Sequence, residues 1–256
     1  LVPLGGNEFL VPLGGNEFWC RPNIPHRCAI FSGMNQPDRA VARRLAQESL
    51  AKGDALGWFE TLYAAADGDA TRIPWADLHP NRSLVDWLDR TGGIANGRRA
   101  LVIGCGLGDD AEELTDRGFA VTAFDVSAGA VAWCRRRFAM SRVNYCAADL
   151  LNLPAAWRQA FDFVLEIYTL QVLPNELRPT AIAQMADCVA PGGTLLIVAR
   201  GRQPADDPGS MPWPLLREEV AELGSHGLWT ASFEEYFDDE DPPVRRFRVE
   251  HCRPRA

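Results

Sequence analysis

The stretch "LVIGCGLGDD" (residues 101–110) decides how this sequence folds. An apolar run leads into three alternating glycines, Gly104, Gly106 and Gly108, and two aspartates follow them. Glycines between a strand and a helix let a nucleotide approach the backbone closely. The stretch therefore predicts a nucleotide-binding turn, and it raises the question of which nucleotide tolerates two neighbouring carboxylates.

Short apolar runs and amphipathic segments alternate around this stretch. The apolar runs are residues 99–104, 120–125, 143–149, 161–168 and 193–200, and the tail adds strand patterns at 229–235 and 244–252. Fully apolar runs are typical of strands covered on both faces. Their alternation with helices predicts an α/β fold, a doubly wound Rossmann-like parallel sheet with helices on both faces. Charged and apolar residues alternate in the last run, which indicates an antiparallel strand with one wet face.

The chain before this sheet divides into two parts. Residues 1–9, "LVPLGGNEF", recur at 10–18, and the first Met is Met34. We interpret residues 1–33 as a leader or an artificially appended segment, and the alternative is an arm that packs on the domain or a partner. Residues 34–256 form one domain in this interpretation, with a helical cap at 34–95 and the Rossmann-like core at 98–256.

The cap sequence predicts helices joined by a polar loop. The helical pattern runs from about 38 to 62, and a polar loop with two prolines follows at 66–82. A further helix is predicted at 83–90, with Ser83 as its N-cap.

Composition excludes several function classes. The net charge of −8 argues against nucleic acid as a partner, because phosphate contacts need a basic face. The basic run 135–137 and the acidic run 234–243 are both interpreted as solvated surface. Seven cysteines without a C-x-x-C pair argue against disulfides and zinc and favour a cytoplasmic location. The sequence has no apolar run long enough to span a membrane, and no histidine has metal-like neighbours, so we predict no metal.

The two aspartates narrow the choice of nucleotide. The dinucleotide fingerprint G-x-G-x-x-G needs glycine where this chain has Asp109. A diphosphate would sit at the helix N-terminus, where Asp109 and Asp110 would repel it. A ligand with an ammonium group and no phosphate fits better, and S-adenosylmethionine is such a ligand.

Two more carboxylates follow predicted strands. Asp125 ends the second strand, where a carboxylate accepts hydrogen bonds from ribose hydroxyls, in NAD enzymes as well. Asp149 ends the third strand, where it either accepts from the adenine amino group or serves as a solvated turn or helix-cap residue. Together with the three glycines these residues predict an adenosyl site.

The chain resembles a class I S-adenosylmethionine-dependent methyltransferase. The motifs that carry the resemblance are "LVIGCGLGDD" (101–110), "VTAFDVS" (121–127), "AADLLNLP" (147–154), "FDFVLEIYTLQVLP" (161–174) and "CVAPGGTLLIVAR" (188–200). The resemblance implies a seven-stranded sheet with an antiparallel last strand. It also implies S-adenosylmethionine as cofactor, with S-adenosylhomocysteine as product.

Finer features resemble the thiopurine, thiol, halide and tellurite methyltransferase-like branch. Val102 replaces an acid that most of the superfamily carries, and "GWFETLY" (57–63) with "IPWADLHP" (73–80) resembles the Trp-rich cap of that branch. Glu166 and Arg178 match its acid and its arginine. Ile167 departs from the usual Arg or Tyr, so no thiopurine or halide substrate is assigned.

The resemblance and the strand ends together give a set of site residues. The cofactor-binding residues are expected to be Gly104, Cys105, Gly106, Gly108, Asp125, Val126, Asp149, Leu150, Glu166 and Trp75. The substrate-binding residues are expected to be Trp58, Tyr63, Gln171 and Trp213. The aromatic side chains Trp58, Tyr63 and Trp75 either form a lid over donor or substrate or pin the cap to the sheet.

Glu166 and Tyr168 are the catalytic candidates, because they are the ionisable residues at the end of the fourth strand, and strand alternation predicts that both lie on one face. Glu166 would be a general base, a contact to the donor ammonium, or a paired strand-end acid. Methyl transfer mainly requires that the acceptor is held in line and water is kept out, and a thiol acceptor needs little more than a stabilised thiolate.

The sequence thus predicts methyl transfer from S-adenosylmethionine to a small-molecule acceptor, with the thiol, hydroxyl, amine or metalloid nature of the acceptor left open. The alternatives are an NAD(P)-dependent oxidoreductase and a non-catalytic adenosyl-ligand-binding protein. No membrane partner is expected, and the oligomeric state is either monomer or homodimer.

Overall fold

Seven strands form one mixed sheet in a computed structural model, which describes residues 36–92 and 95–255. The strands are β1 (Arg99–Ile103), β2 (Ala120–Asp125), β3 (Asn144–Ala147), β4 (Phe161–Ile167), β5 (Val189–Arg200), β6 (Trp229–Phe237) and β7 (Arg245–Cys252). Their order is β3-β2-β1-β4-β5-β7-β6. The first five are parallel, and β7 runs antiparallel to both β5 and β6. The predicted doubly wound sheet with an antiparallel last strand is confirmed.

Helices cover both faces of the sheet. They are α1 (Gln36–Leu50), α2 (Gly57–Ala66), α3 (Arg82–Thr91), α4 (Asp109–Asp116), α5 (Ala128–Arg137), α6 (Arg178–Cys188) and α7 (Arg217–Ala221). Short 3₁₀ turns lie at Ala70–Arg72, Ala155–Trp157, Leu170–Val172 and Glu222–His226.

The side chains of β1 show why the strand runs are apolar throughout. Leu101 and Ile103 pack into the cluster that contains Ile182 of α6. Ala100 and Val102 pack into the opposite cluster, which contains Leu114 of α4. Because alternate residues of one strand enter two different cores, both faces require apolar side chains.

A third apolar cluster joins α1 and α2 to the core. Trp58 and Leu62 of α2 pack with Leu107 of the glycine turn and with Ala130 and Trp133 of α5. The cap therefore lies directly over the turn between β1 and α4.

The N-terminal segment forms two helices, α1 and α2, instead of the single helical run predicted over 38–62. The chain leaves α1 through Gly53, which has a φ of +77°, and α2 begins at Gly57. The Asp54 carboxylate accepts hydrogen bonds from the backbone N–H groups of Leu56 and Gly57 at 3.1 and 2.8 Å. Gly and Asp at this break are turn formers that outweigh the apolar periodicity.

The N-cap of α3 is Asn81, and the predicted Ser83 is wrong. The Asn81 side chain accepts a hydrogen bond from the Ser83 backbone N–H at 2.9 Å, so Ser83 lies inside the first turn. Both residue types are good N-caps, and the sequence alone did not separate them.

The wet face expected for β7 is also absent from the described structure. Arg246 and Arg248 are only 5% and 8% exposed. Arg248 donates to the Ser83 carbonyl at 3.0 Å, and Arg246 pairs with Asp238 at 2.6 Å. Charged side chains on this strand are therefore covered and paired rather than solvated.

The predicted leader, residues 1–33, lies outside the described residues, and the division into cap (34–95) and core (98–256) stays a prediction. Within the described ranges no helix combines the length and the apolar composition that a bilayer crossing requires.

The contact between Glu60 and the start of α5 generates a stability prediction. The Glu60 carboxylate accepts from Ser127 Oγ at 2.7 Å and from the Gly129 N–H at 3.0 Å, and these bonds lower its pKa below the ordinary 4.5. We expect Glu60→Ala to reduce the free energy of unfolding by about 1 kcal/mol at pH 7, as for a lost helix cap. Urea unfolding measures this change.

Glu48→Ala is the matched control, because the ion pair of Glu48 within residues 36–92 and 95–255 is with Arg44, one turn away on exposed α1. Its cost should stay below about 0.5 kcal/mol. Because the folded pKa of Glu60 is depressed, its contribution is present above pH 4.5 and is lost as the pH falls through the folded pKa. If Glu60→Ala reduces the free energy of unfolding no more than Glu48→Ala does, the Glu60 hydrogen bonds do not stabilise the fold as predicted.

Candidate functional site

A cavity of about 300 Å³ lies at the carboxyl ends of the parallel strands, beneath the cap. Ligands of open α/β sheets bind at this edge, where the strand order reverses. Eleven predicted site residues line it: Gly104, Cys105, Gly106, Gly108, Asp125, Val126, Leu150, Trp75, Tyr63, Tyr168 and Gln171. The other four, Asp149, Glu166, Trp58 and Trp213, lie outside its lining.

The glycine turn has a positive φ at all three alternating glycines, with values of +59°, +54° and +93°. A Cβ on Gly104 would lie 2.4 Å from Thr169 Oγ1, and one on Gly108 would lie 2.6 Å from the Tyr145 hydroxyl. A Cβ on Gly106 would instead meet only ordinary contacts, at 3.6 Å from Trp75 and Tyr63. Gly104 and Gly108 therefore permit the fold of the turn, whereas Gly106 leaves room on the cavity side.

Asp125 holds this turn in place. Its two carboxylate oxygens accept from the backbone N–H groups of Gly106 at 3.0 Å and Ser127 at 2.9 Å. The side chain is nearly buried, and burial raises its pKa to about 6 against the opposing effect of these bonds. Each oxygen keeps a second lone pair, so the carboxylate can accept further hydrogen bonds from a ligand in the cavity.

Aromatic side chains of the cap cover the turn. Trp75 Nε1 donates to the Tyr63 hydroxyl at 2.9 Å, and both side chains face Gly106. Trp58, predicted to bind substrate, is instead 2% exposed and stacks on Phe59 at 3.9 Å between ring centroids. Phe59 lines the cavity in its place, because neighbouring helix residues point in different directions.

Both aspartates after the turn have partners within the protein, which the sequence did not reveal. Asp109 pairs with Arg137 at 2.8 Å, so the basic run 135–137 is not simply solvated surface. Asp110 accepts from the Asn81 backbone N–H at 2.7 Å, and burial raises its pKa to about 6. The predicted repulsion of a diphosphate is therefore weaker than two free carboxylates would make it.

Asp149 does not face the cavity. Its exposed side chain accepts from the Leu151 N–H at 2.8 Å, as in a turn, whereas Leu150 and Leu151 line the cavity. Of the two alternatives for Asp149, the geometry matches the turn residue and not the adenine contact.

The prediction that Glu166 and Tyr168 share a face is wrong. Strand β4 ends at Ile167, and Tyr168 has a φ of +63°, which breaks the strand alternation. Glu166 is fully buried, and its Oε1 accepts from the N–H groups of Thr169 and Leu170 at 2.6 and 3.0 Å. Burial raises its pKa to about 7. Glu166 thus supports the turn after β4, while Tyr168 reaches the cavity.

Gln171 and Trp213 organise the far wall. The Gln171 side-chain oxygen accepts from the Arg200 N–H at 2.7 Å, and its carbonyl accepts from the Trp213 N–H at 2.7 Å. Trp213 contributes its backbone here, and its neighbours Met211 and Pro212 line the cavity instead. Gln171 is therefore a buried structural bridge as well as part of the wall.

Sequence reasoning missed a cluster of arginines on this wall. Arg39 and Arg43 of α1, Arg200 at the end of β5 and Arg246 at the start of β7 all line the cavity. Glu240 lines it too and contacts Arg200 and Arg246, so the acidic run 234–243 is not only solvated surface. The sequence feature that could have indicated this cluster was the position of Arg200 at the end of a predicted strand.

Metal ligation has no support in the part of the chain that the structure describes, where no group of three or more His, Cys, Asp or Glu side chains is placed to hold an ion.

The close contact at Gly108 generates a prediction about the turn. Gly108→Ala forces a Cβ against the buried Tyr145 hydroxyl and within 3.2 Å of Cys134 Sγ. Gly53→Ala is the control, because Gly53 also has a positive φ but no described atom lies within 4 Å of its added Cβ. We expect a loss of about 1–2 kcal/mol for Gly53→Ala, from backbone strain alone. The loss for Gly108→Ala should be larger by about 1–3 kcal/mol.

Urea unfolding of both variants measures this difference. Equal losses would mean that Tyr145 moves aside without cost and that Gly108 serves only the backbone conformation.

Comparison with known proteins agrees with this geometry. Residues 100–193 match the family described as "Methyltransferase domain". The ubiquinone biosynthesis O-methyltransferase of Aromatoleum aromaticum is 34% identical over 122 residues, which cover 47% of this chain and 50% of that protein. A probable thiol methyltransferase 2 of Arabidopsis thaliana is 26% identical over 165 residues, which cover 63% of this chain and 67% of that protein. The chain spans about half the length of the first curated relatives it matches.

A solved structure with a similar fold is the 1,6-didemethyltoxoflavin-N1-methyltransferase of Burkholderia thailandensis, with S-adenosylhomocysteine bound. It superposes with a TM-score of 0.60 at 19% identity and covers 77% of this chain and 87% of that one. At this identity the likeness concerns the fold alone. Residues 100–193 are therefore similar to a methyltransferase domain, and the chain shares its fold with solved S-adenosylmethionine-dependent methyltransferases.

Proposed function

We propose that this protein is a methyltransferase that uses S-adenosylmethionine to methylate a small molecule. The observation that carries the proposal is the glycine turn held by Asp125 at a cavity beneath aromatic side chains. The methyltransferase domain at 100–193 and the methyltransferase relatives support it.

The cavity residues fit the parts of this cofactor. Asp125 keeps lone pairs for ribose hydroxyls, and the open side of Gly106 allows close approach. Val126, Leu150 and Leu151 offer an apolar wall for the adenine ring. Trp75 and Tyr63 turn an indole edge and a hydroxyl toward Gly106, and they close the cavity above the part of the cofactor that lies on the turn.

S-adenosylmethionine supplies, when bound, a methyl group already activated by a positively charged sulfur. The residues of this chain then have to position the acceptor and exclude water. The cap performs the exclusion, because Tyr63 and Trp75 lie over the turn.

Tyr168 replaces Glu166 as the ionisable group at the reacting end. Burial raises the pKa of Tyr168, and Arg246 beside its ring only partly opposes this effect. Its hydroxyl therefore stays protonated at neutral pH and serves to hydrogen-bond and orient an acceptor rather than to remove a proton. An acceptor that ionises readily, such as a thiol, suits this site best.

Ligand-binding and methylation experiments distinguish this proposal from two alternative functions. An NAD(P)-dependent oxidoreductase would bind NADH, and the pairing of Asp109 with Arg137 makes this less unfavourable than the sequence indicated. A non-catalytic adenosyl-binding protein would bind S-adenosylhomocysteine and methylate no acceptor, since a fold does not fix a reaction. The cytoplasmic location and the choice between monomer and homodimer stay predictions.

Calorimetric titration with S-adenosylhomocysteine and with NADH tests the proposed cofactor. We expect micromolar binding of S-adenosylhomocysteine, about −8 kcal/mol, and no binding of NADH. Asp125→Asn should weaken the binding of S-adenosylhomocysteine at least tenfold, because the amide lacks the charge and one acceptor. Asp149→Ala is the control and should change the affinity less than about twofold, because Asp149 lies outside the cavity lining.

NADH binding in place of S-adenosylhomocysteine would overturn the proposal. An equal loss in Asp149→Ala would instead restore the adenine contact predicted for that residue.

The raised pKa of Asp125 predicts that the affinity for the cofactor depends on pH. The carboxylate ionises with a pKa of about 6, so it accepts ligand hydrogen bonds above this pH and becomes protonated as the pH falls through it. The affinity of the wild type for S-adenosylhomocysteine should therefore fall between pH 7 and pH 5, by up to about tenfold per pH unit below 6. Asp110 titrates in the same range, so the control is Asp125→Asn, whose affinity should stay nearly constant. The same fall in both proteins would assign the effect to another group.

A further inference from the structure

We propose that the methyl acceptor is an apolar carboxylic acid, whose carboxylate is held by Arg43 and Arg200 at the β5–β7 end of the cavity. This inference rests on the proposed methyl transfer and deepens it by naming the class of acceptor.

The arginines lie away from the cofactor end of the cavity. In the sheet order the glycine turn and Asp125 follow β1 and β2, whereas Arg200 and Arg246 are register partners on β5 and β7. Arg43 approaches from α1, where its Nε donates to the Met211 carbonyl at 2.8 Å. A ligand that spans the cavity therefore meets the glycine turn at one end and guanidinium groups at the other.

The carboxylates of the described residues balance the positive charge of Arg43, Arg200 and Arg246 only in part. Arg246 is well paired, with Asp238 at 2.6 Å and Glu240 at 2.5 Å. The same Glu240 is the partner of Arg200 at 3.3 Å and lies 3.9 Å from Arg39. Glu240 is thus shared by Arg246 and Arg200, and its contact to Arg200 is long for a charge-assisted hydrogen bond.

Arg43 has no such partner, since no carboxylate oxygen lies within 4.0 Å of it among the residues that the structure describes. Asp77 also lines the cavity and burial raises its pKa, but it forms no ion pair within 4.0 Å with Arg43 or Arg200. Burial and the neighbouring Arg246 lower the pKa of Arg200, which indicates a cation short of negative partners. A ligand carboxylate would supply the missing charge and accept two parallel N–H bonds from a guanidinium.

Part of the wall at this end is apolar. Val172, Leu173, Met211 and Pro212 line it together with the Tyr168 ring, against which Arg246 stacks at 4.8 Å. A free inorganic anion would leave this surface without contacts. The combination favours a molecule with an apolar or aromatic body and one carboxylate, which also carries the atom to be methylated.

The test compares 3-mercaptobenzoate with its neutral analogue 3-mercaptobenzamide by calorimetry, with the full chain saturated with S-adenosylhomocysteine. We expect the acid to bind at least tenfold more tightly than the amide. Arg43→Gln and Arg200→Gln should each reduce this preference to threefold or less and leave the affinity for S-adenosylhomocysteine unchanged. Arg44→Gln, on the exposed side of α1 where Arg44 pairs with Glu48, should keep the full preference.

Three results would overturn the inference: equal binding of acid and amide, a preference that survives both cavity variants, or tighter binding of phenyl phosphate than of the acid. Failure of the proposed function is distinguished separately, because it appears either as binding of S-adenosylhomocysteine without methyl transfer from S-adenosylmethionine to the bound acid or as absent binding of S-adenosylhomocysteine before any acceptor is added. The acid and the amide are then compared on the protein alone, where a preference lost in Arg200→Gln still supports the anion site.

Discussion

The buried Asp125 carboxylate accepts hydrogen bonds from two backbone N–H groups, and the rest of the site depends on this interaction. One N–H belongs to Gly106 in the turn after β1, and the other belongs to Ser127 at the start of α5. A buried carboxylate without partners would be costly, so these bonds also fix where the carboxylate can lie. The interaction therefore sets the turn, the start of α5 and the cavity-facing carboxylate together.

The same constraint extends to the cap through a short chain of hydrogen bonds. The Ser127 hydroxyl caps α5 by accepting from the Ala130 N–H at 3.0 Å and donates to Glu60 of α2 at 2.7 Å. The positive end of the α5 dipole stabilises the negative charge of the nearby Glu60 carboxylate. Since α2 also carries Phe59 and Tyr63, the hydrogen bonds that place this helix also place two of the aromatic side chains that line the cavity.

The sequence predicted the fold well because the relevant signals are local and periodic. The apolar runs around residues 99–104 and 161–168 match β1 and β4 because a strand buried on both faces allows few other patterns. The glycine turn and Asp125 were also found, because close backbone packing and a strand-end carboxylate restrict the residue type. The two N-terminal errors, at Gly53 and Ser83, were errors of element boundaries, where several residue types serve equally well.

The side-chain directions beyond the strand ends could not be read from the sequence. Glu166 was predicted at the site as an ionisable residue at a strand end, on one face with Tyr168, whereas the positive φ at Tyr168 breaks the alternation that placed them together. Trp58 and Phe59 are adjacent aromatic residues, yet only the second lines the cavity. The arginine cluster combines residues from α1, β5 and β7, which are far apart in the chain. The sequence by itself determined the α/β sheet, the glycine turn and the carboxylate after β2, because local backbone geometry and burial dictate those residue types. Only the tertiary structure decided which aromatic and charged side chains share the cavity, because that depends on contacts between distant segments.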